Sequence, residues 1–424
     1  EIDGHDFSQI FSALESSKNS PVPVMILAHT VMGKGVPFME NQAKYHGSAL
    51  SEEQLAEALK ILGASNRLGE YKKLRAAFKA PTQAVDLKHF ELKTDLEPGR
   101  PLRYDKETDN RSAWGNAIAD LAKTNQDKAT PIVVVDCDLQ SSVKTGEFAK
   151  LMPHRFIQSG IMEQNAAVLS GALSASGIQT FWSDFGMFGL DEVYNAQRLN
   201  DINHTNLKVV LTHVGIDVGE DGKTHHCIDY IGLMRNLYSY RLICPADPNQ
   251  TDSVIRWLIN RSGNYMVTMG RSKVPIIKGE DGVPFYGLNY TFDYGKEDIL
   301  RVGNMGSIFV TGTPVGKAVK AVDKLREQGI YLQLIYVSCP LAIDRETLET
   351  AARNKIVFSI EDHNVNSGLG AILADRIGEE NLCCRLVKIG IPEYPRSGSS
   401  EDLYNWAGLS SQSIIDRITE ELQS

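Results

Sequence analysis

The chain predicts an α/β fold in which parallel sheets are covered by helices, and three observations carry that prediction. Short apolar runs recur with little polar alternation: Pro131-Ile-Val-Val-Val135, Leu207-Lys-Val-Val-Leu211, Tyr265-Met-Val-Thr-Met269, Ser307-Ile-Phe-Val-Thr311, Leu332-Gln-Leu-Ile-Tyr-Val337 and Ile356-Val-Phe-Ser-Ile360. Runs of this kind belong to strands buried on both faces. Helical stretches separate them, and strand–helix alternation is the pattern of a parallel, helix-covered sheet. Charged or glycine-rich stretches interrupt the alternation and divide the chain into blocks.

The first block, residues 1–84, opens with a helix over Phe7–Ser17 and continues into Val22-Pro-Val-Met-Ile-Leu-Ala28, a buried parallel-strand pattern. An open parallel sheet needs several strands, so the block reads as the closing part of a larger domain. Residues 85–108 are charged, hold Pro98 and Pro101 and lack a period, which marks a linker. In block 109–278 the elements are a helix over Ala113–Leu121, the strand 131–135, a small-residue helix over Ala166–Ala175, the strand 207–211 and a helix around Leu233. A strand at Leu242-Ile-Cys244, a helix over Asp252–Asn260 and the strand 265–269 complete it. A glycine-rich linker over 279–300 leads to block 301–424, with the strand 307–311, a helix over Pro314–Gln328, the strands 332–337 and 356–360, and a final helix near Ser413–Leu422. Gly368-Leu-Gly-Ala-Ile-Leu373 follows a strand and starts a helix as a dinucleotide fingerprint does. Leucine occupies the place of its third glycine and no acidic strand end follows, so it reads as part of a structural strand–helix unit.

With 424 residues the chain can bury a large core without disulfides. Its six cysteines, including the adjacent Cys383 and Cys384, show no paired framework, which points to a reducing, cytoplasmic compartment. The net charge of −9 is spread along the chain and offers neither a basic nucleic-acid footprint nor a polybasic membrane patch. No apolar run is long enough to span a bilayer, and Glu1-Ile-Asp-Gly-His-Asp6 lacks the order of a signal peptide.

Chemistry concentrates in two segments. Residues 211–226 gather three histidines, three carboxylates and three glycines directly after a strand, the composition of an active-site loop. Upstream, Gly160-Ile-Met-Glu-Gln-Asn165 puts a carboxylate at the start of a small-residue helix. Read alone, Glu163 is a helix-start glutamate favoured by the macrodipole, the glycine-rich loop an ordinary turn, and Phe185 with Phe188 the core face of a helix. A zinc reading of His225-His226-Cys227 fails because contiguous ligands do not wrap a tetrahedral ion in the usual way.

In order, Met162-Glu163-Gln164-Asn165, Phe181-Trp-Ser-Asp-Phe-Gly-Met-Phe188 and Gly219-Glu-Asp-Gly222 followed by Thr224-His225 resemble the pyrimidine-binding half of a thiamine-diphosphate enzyme, specifically transketolase. The resemblance implies a thiamine-diphosphate-binding fold. Residues 1–84 would be the end of the diphosphate-binding domain, 109–278 the pyrimidine-binding domain and 301–424 the C-terminal α/β domain. It gives Glu163 the role of the acid hydrogen-bonded to the cofactor's pyrimidine nitrogen, where proton exchange activates the cofactor. Phe188 matches the residue stacked on the pyrimidine, and Phe185 a neighbouring wall. Asp191 stands where many transketolases carry a further aromatic, which makes that wall more polar. Asp138 is implied on the cofactor side.

By the same resemblance Asp221 binds a substrate hydroxyl, His225 serves a carbonyl oxygen or hydroxyl of the donor or acceptor, and His213 contacts a phosphate or hydroxyl. Arg271, in Met269-Gly-Arg-Ser-Lys273, and Arg111 would capture phosphate through bidentate guanidinium contacts, with Ser142 as a third partner. His46, in Lys44-Tyr-His-Gly47, resembles a family histidine near the diphosphate and the reacting thiazolium, with a catalytic and substrate-binding role. The Gly-Lys-Gly of residues 33–35 also fits the family, but lacks the glycine-spaced stretch of a phosphate loop.

The implied reaction moves a two-carbon ketol unit from a ketose phosphate to an aldose phosphate, as in the pentose phosphate pathway. The alternatives are a 1-deoxyxylulose-5-phosphate synthase-like enzyme and a truncated, non-catalytic binding or regulatory paralogue. The family's Mg²⁺ and diphosphate site begins with Gly-Asp-Gly, a tripeptide found nowhere in the 424 residues. No metal ligand is therefore assigned, and the Mg²⁺ ligands are expected in an N-terminal part beyond these residues. The expected partners are sugar phosphates, a second copy of the chain in a homodimer, and a separate N-terminal fragment or subunit; nucleic acid and membrane are not among them.

Overall fold

A computed structural model describes residues 1–79 and 94–423, so positions 85–93 of the expected linker and Ser424 lie outside the described residues. Glu1–Leu87 and Lys88–Ser424 are two compact units. In the first, strands Ile2–Asp3 (β1) and Ala28–His29 (β2) pair in parallel, and helices span Phe7–Lys18 (α1), Glu52–Ile61 (α2) and Leu68–Ala77 (α3). The Asp6 side chain caps α1 by accepting from the N–H groups of Ser8 and Gln9, and Ser51 with Gln54 forms a capping box on α2. The expected buried strand over Val22–Ala28 is corrected: only Ala28 pairs, and Val22, Val24, Met25 and Leu27 are 49–92% exposed. Among the described residues of this unit the ladder is two strands wide, so the apolar run has no neighbouring strand to bury it.

In the second unit the described residues begin with 94–107, which run along a later helix and bury Leu96. Strand Thr108–Asp109 (β3) leads into helix Asn110–Thr124 (α4), capped by Asp109. There follow Ile132–Asp136 (β4), Gln140–Val143 (α5), Gly146–Leu151 (α6), Phe156–Gln158 (β5), Glu163–Ala175 (α7), Gln179–Phe185 (β6), Tyr194–Ile202 (α8), Lys208–Thr212 (β7), Tyr230–Met234 (α9), Arg241–Ile243 (β8), Pro248–Leu258 (α10) and Tyr265–Thr268 (β9). Six of these strands form a wholly parallel sheet in the order β5-β4-β6-β7-β9-β8. The chain leaves β4 to one side for β5 and returns on the other for β6. This makes the carboxyl ends of β4 and β6 a topological switch point, the place where open α/β sheets leave a crevice for ligands.

Strand Lys273–Val274 (β10) pairs antiparallel with β3. The remaining elements are Asp298–Arg301 (β11), Ser307–Thr311 (β12), Val315–Glu327 (α11), Gln333–Tyr336 (β13), Arg345–Ala352 (α12), Ile356–Asn364 (β14), Leu369–Glu379 (α13), Arg385–Ile391 (β15), Ser400–Trp406 (α14) and Ser411–Gln423 (α15). The second sheet runs β11-β13-β12-β14-β15, parallel except for β11 at its edge. Where the sequence reads as a glycine-rich linker over 279–300, Tyr286 and Phe292 are buried and β11 begins at Asp298. Aromatics set singly between glycines carry no period, so their burial is not legible in the pattern. One apolar core joins the two sheets' layers, with Trp182 and Leu211 in the same cluster as Val337 and Leu369. No helix of the described residues is long and apolar enough to cross a membrane.

Candidate active site

At the switch point, β6 is buried along its whole length and ends at Phe185; one turn of π-helix, Met187–Asp191, then carries Phe188. The two rings stack at 6.0 Å with an interplanar angle of 19°. Phe185 lies 3.8 Å from the His213 ring, and Phe188 meets the His225 ring edge-on at 5.3 Å. Glu163 is the first residue of α7 and 9% exposed, at a helix start that Met162 leaves without a side-chain cap. Asp184, one residue before Phe185, accepts its N–H on Oδ1 at 2.8 Å and keeps Oδ2 buried without a partner. Burial pushes the Asp184 carboxyl up to about 7, with the Glu163 and Asp136 carboxylates adding to the rise. The Cys137 thiol is pushed up first by burial and then by Asp184.

His213 follows β7 directly, in a left-handed conformation with φ +59°, and it shares a 2.7 Å hydrogen bond between Nδ1 and Thr212 Oγ1. Asp138 and Lys144, beyond β4, are also left-handed, at φ +63° and +65°. Non-glycine residues in this region store backbone strain that tends to collect at functional sites. Burial lowers the His213 imidazole to about 3, and Arg111, Arg271, His225 and Lys144 all push it the same way. It is neutral at physiological pH and surrounded by cationic groups.

The loop after His213 is folded against both sheets. Gly215 adopts φ +76°, and a Cβ there would run into the Asp362 carboxylate. Residues Ile216–Asp221 form a 3-10 segment broken at Gly219. His226, buried, holds Gly219 O through Nε2 at 3.0 Å, while half-buried His225 pairs Nδ1 with Thr224 Oγ1 at 3.0 Å. Cys227 Sγ instead faces Asp191, 3.7 Å away, so the three consecutive residues look to three different partners. Among the described residues no group of three or more His, Cys, Asp and Glu side chains is arranged to hold a metal.

Arg111 donates to Ser142 O at 2.9 Å, and Arg271 to Val218 O at 2.7 Å. Asp221 is exposed at the end of the 3-10 segment, and its charge raises His226 against the lowering effect of burial. Asp138 is exposed beyond β4, its N–H bonded to Gln158 Oε1 at 2.7 Å. The structure thus brings Phe185, Phe188, His213 and His225 into ring contact. Arg111 and Arg271 lie within electrostatic reach of His213, Glu163 within reach of Asp184, and Ser142 is tied in through Arg111. His46 belongs to the first unit, exposed after the 3-10 turn Ala43–Tyr45. Sequence reasoning missed Asp184 and Lys144. An acid set among three aromatics, Phe181-Trp-Ser-Asp-Phe185, was the available signal for the first; nothing in the sequence marks the second.

Family models match in three pieces: "Transketolase, thiamine diphosphate binding domain" over 1–89, "Transketolase, pyrimidine binding domain" over 106–276 and "Transketolase, C-terminal domain" over 295–414. A protein of Methanocaldococcus jannaschii named "Putative transketolase C-terminal section" is 34% identical over 315 residues, covering 74% of this chain and 96% of that protein. The chain belongs to the transketolase family. A solved structure titled "Split gene transketolase, inactive beta4 tetramer" superposes with a TM-score of 0.65 at 29% identity, covering 75% of this chain and 99% of that one. Transketolase from Campylobacter jejuni shares the fold across 99% of this chain, with a TM-score of 0.75 at 21% identity. This chain spans 66% of that transketolase's length. Thiamine-diphosphate-binding family domains are therefore present, and the crevice between β4 and β6 falls within the pyrimidine-binding match.

Its residues fit that cofactor's pyrimidine. Two near-parallel aromatic rings suit a flat heteroaromatic ring, and Glu163, nearly buried at an uncapped helix start, offers a polar group for its edge.

Proposed function

We propose that this chain provides the pyrimidine and substrate side of a thiamine-diphosphate-dependent transketolase, which transfers a two-carbon ketol unit from a ketose phosphate to an aldose phosphate. The observation that carries the reading is the convergence of the stacked Phe185 and Phe188, buried Glu163, and the His213, His225, Arg111 and Arg271 set at one switch point. When bound, thiamine diphosphate supplies the carbon nucleophile that takes up and releases the two-carbon unit.

Each side chain then has a definite task. Phe185 and Phe188 hold the pyrimidine flat, and Glu163 exchanges a proton with its ring nitrogen. His225, with Nδ1 held by Thr224, has Nε2 available to move a proton on a substrate oxygen. His213 is kept neutral by its surroundings and hydrogen-bonds without changing charge. Asp221 accepts from a substrate hydroxyl, while Arg111, Arg271 and Ser142 take the phosphate. Asp138 and His46 act on the cofactor side, His46 next to the diphosphate and the substrate. Residues 1–84, 109–278 and 301–424 correspond to the diphosphate-binding, pyrimidine-binding and C-terminal domains, joined by 85–108 and 279–300.

A bound diphosphate and its Mg²⁺ would need oxygen ligands, and no Gly-Asp-Gly in these residues supplies them. They come from a further polypeptide segment, continuous with this one or separate, and the assembly contains two copies of the chain. Support comes from the likeness to a split-gene transketolase structure. It comes also from a protein of Actinobacillus succinogenes named as one subunit of an apulose-4-phosphate transketolase, 30% identical over 290 residues that cover 90% of its length. Donor choice tests the reaction. With the complementary segment present, a hydroxylated ketose phosphate is used in preference to pyruvate; equal or better use of pyruvate with glyceraldehyde 3-phosphate would reassign the chain to the synthase reaction.

A further inference from the structure

A cavity lies apart from the stacked rings, between β10 and the start of α11, with a volume of about 360 Å³. One wall carries three ammonium groups: Lys317 and Lys320, one helical turn apart on α11, and Lys273 on β10. Among the described residues no ion pair engages any of the three; Lys317 rests over the Tyr404 ring at 4.8 Å. The same wall includes Thr313 and Gly316 at the start of α11, where the Val315 and Lys317 N–H groups are already held by Gly312 O and Pro314 O, so the lysines supply the charge of this wall.

Opposite them is Asp217, 1% exposed. Its Oδ2 accepts from Ser272 N–H at 2.6 Å, but Oδ1 is buried with no partner. An unpartnered buried oxygen of this kind calls for a donor. Glu107 and Glu401 add carboxylates to the lining.

We infer that this cavity is a binding site for a small phosphorylated polyol, with its phosphate on the three lysines and a hydroxyl donating to Asp217 Oδ1. The two ends of the cavity select against simpler ligands. Free phosphate satisfies the lysines but leaves Asp217 unpartnered beside a second negative charge. Asp217 lies four residues before Asp221 in the same 3-10 segment, and Ser400 Oγ holds its carbonyl at 2.9 Å. Occupancy is therefore felt in the loop that carries Asp221. The site stands independently of the reaction proposed above, since it shares no residue with that assignment.

Calorimetric titration of the full chain with glycerol 3-phosphate and, separately, with inorganic phosphate tests it, using wild type, Lys320→Glu, Asp217→Asn and Arg271→Ala. Lys320 is exposed, so its reversal leaves the fold intact. The expected result is saturable binding of glycerol 3-phosphate at up to millimolar concentration, weakened about tenfold or more by Lys320→Glu and retained by Arg271→Ala. Inorganic phosphate binds more weakly than glycerol 3-phosphate, and Asp217→Asn narrows that difference. Binding lost in Arg271→Ala but kept in Lys320→Glu puts the ligand in the candidate active site and overturns the proposal; so does the absence of binding, or phosphate binding as tightly as the ester.

Discussion

At the carboxyl end of β7 stand Thr212 and His213; at the carboxyl end of β14 stand Glu361, Asp362 and His363. Both groups are nearly inaccessible to solvent. In the β14 group every side chain has partners. Glu361 accepts from the first N–H groups of α13, Leu369 at 2.5 Å and Gly370 at 2.9 Å, and Asp362 accepts from Ile216 N–H at 3.0 Å and the Tyr404 hydroxyl at 2.6 Å. His363 Nε2 accepts from Ile231 N–H at 3.0 Å. Two of these bonds reach back to residues of the 109–278 block, so the cluster fastens the active-site loop to the second sheet.

Around β7 the accounting is incomplete: Asp184 Oδ2 is buried without a hydrogen-bond partner, and His213 sits in a strained backbone conformation, its neutral imidazole set among cationic side chains. Buried polar groups are nearly always paired, and an exception beside a ligand crevice is where a ligand, a reaction or a water supplies the missing partner. Similar residues at equivalent strand ends thus divide into a satisfied latch and an unsatisfied site. Changes at the latch should act on stability, and changes at the site on chemistry.

The largest separation is expected for Glu163→Gln. With the complementary segment present, it lowers turnover by about 10²-fold or more, in line with acid–base contributions, and leaves the melting midpoint near wild type. Steady-state assay beside calorimetry checks both halves; wild-type turnover would remove Glu163 from the chemistry. Next in size, Asp362→Ala strands the Ile216 N–H and the Tyr404 hydroxyl, at about 1–3 kcal/mol for each group left unsatisfied. Its unfolding midpoint in urea should fall clearly below that of Glu163→Gln, and a midpoint equal to wild type would mean the cluster is no latch. Asp221→Ala, which removes a proposed hydroxyl acceptor, should narrow the preference for hydroxylated donors over pyruvate by about 1–3 kcal/mol in relative kcat/KM with little change in melting.

The smallest effect is in pH. Burial raises Asp362 to about 7 and Glu361 to about 8, above their unfolded values, so they stay protonated in the fold at acidic pH. The stability they contribute is fully present below the unfolded carboxyl range and is lost as pH rises through about 7 to 8. His213, held at about 3, and His363, at about 4, work in the opposite sense: they favour the fold above the unfolded histidine value and lose that contribution as pH falls toward 3 to 4. Between about pH 6.5 and 8 only the carboxyl effect of these four groups remains, so the melting temperature should decline there. Asp362→Asn should flatten part of that decline; an unaltered slope would separate Asp362 from it.

The same division explains what the sequence disclosed. Strands such as Pro131–Val135 and Leu207–Leu211 were legible because burial on both faces writes a continuous apolar run. Glu163, Phe188, Asp221 and His225 stand out in the sequence because their spacing resembles a family motif, and their roles belong to the proposed function. Val22–Ala28 misled, because its apolar pattern names a buried strand but cannot name the neighbours that would bury it. The strand Gln179–Phe185 was hidden by the polar Gln179, Thr180, Ser183 and Asp184, which interrupt the apolar run, and by Phe185 and Phe188, three residues apart as on a helix. The Glu361, Asp362 and His363 latch left no trace, since its partners Ile216, Ile231 and Tyr404 are far away in sequence.

The central claim is that this chain forms the pyrimidine side of a divided thiamine-diphosphate site, and titrating thiamine diphosphate with Mg²⁺ tests it most directly. The chain is measured alone and with the N-terminal section of a matching transketolase, as wild type and as Phe188→Ala. Binding should be weak or undetectable alone and tight and metal-dependent with the added section, because the charge-assisted diphosphate anchor outweighs stacking. Phe188→Ala should then weaken it by at least about 0.5–1.5 kcal/mol. Tight metal-dependent binding by the chain alone, or binding by the pair that is indifferent to Phe188→Ala, would contradict the claim.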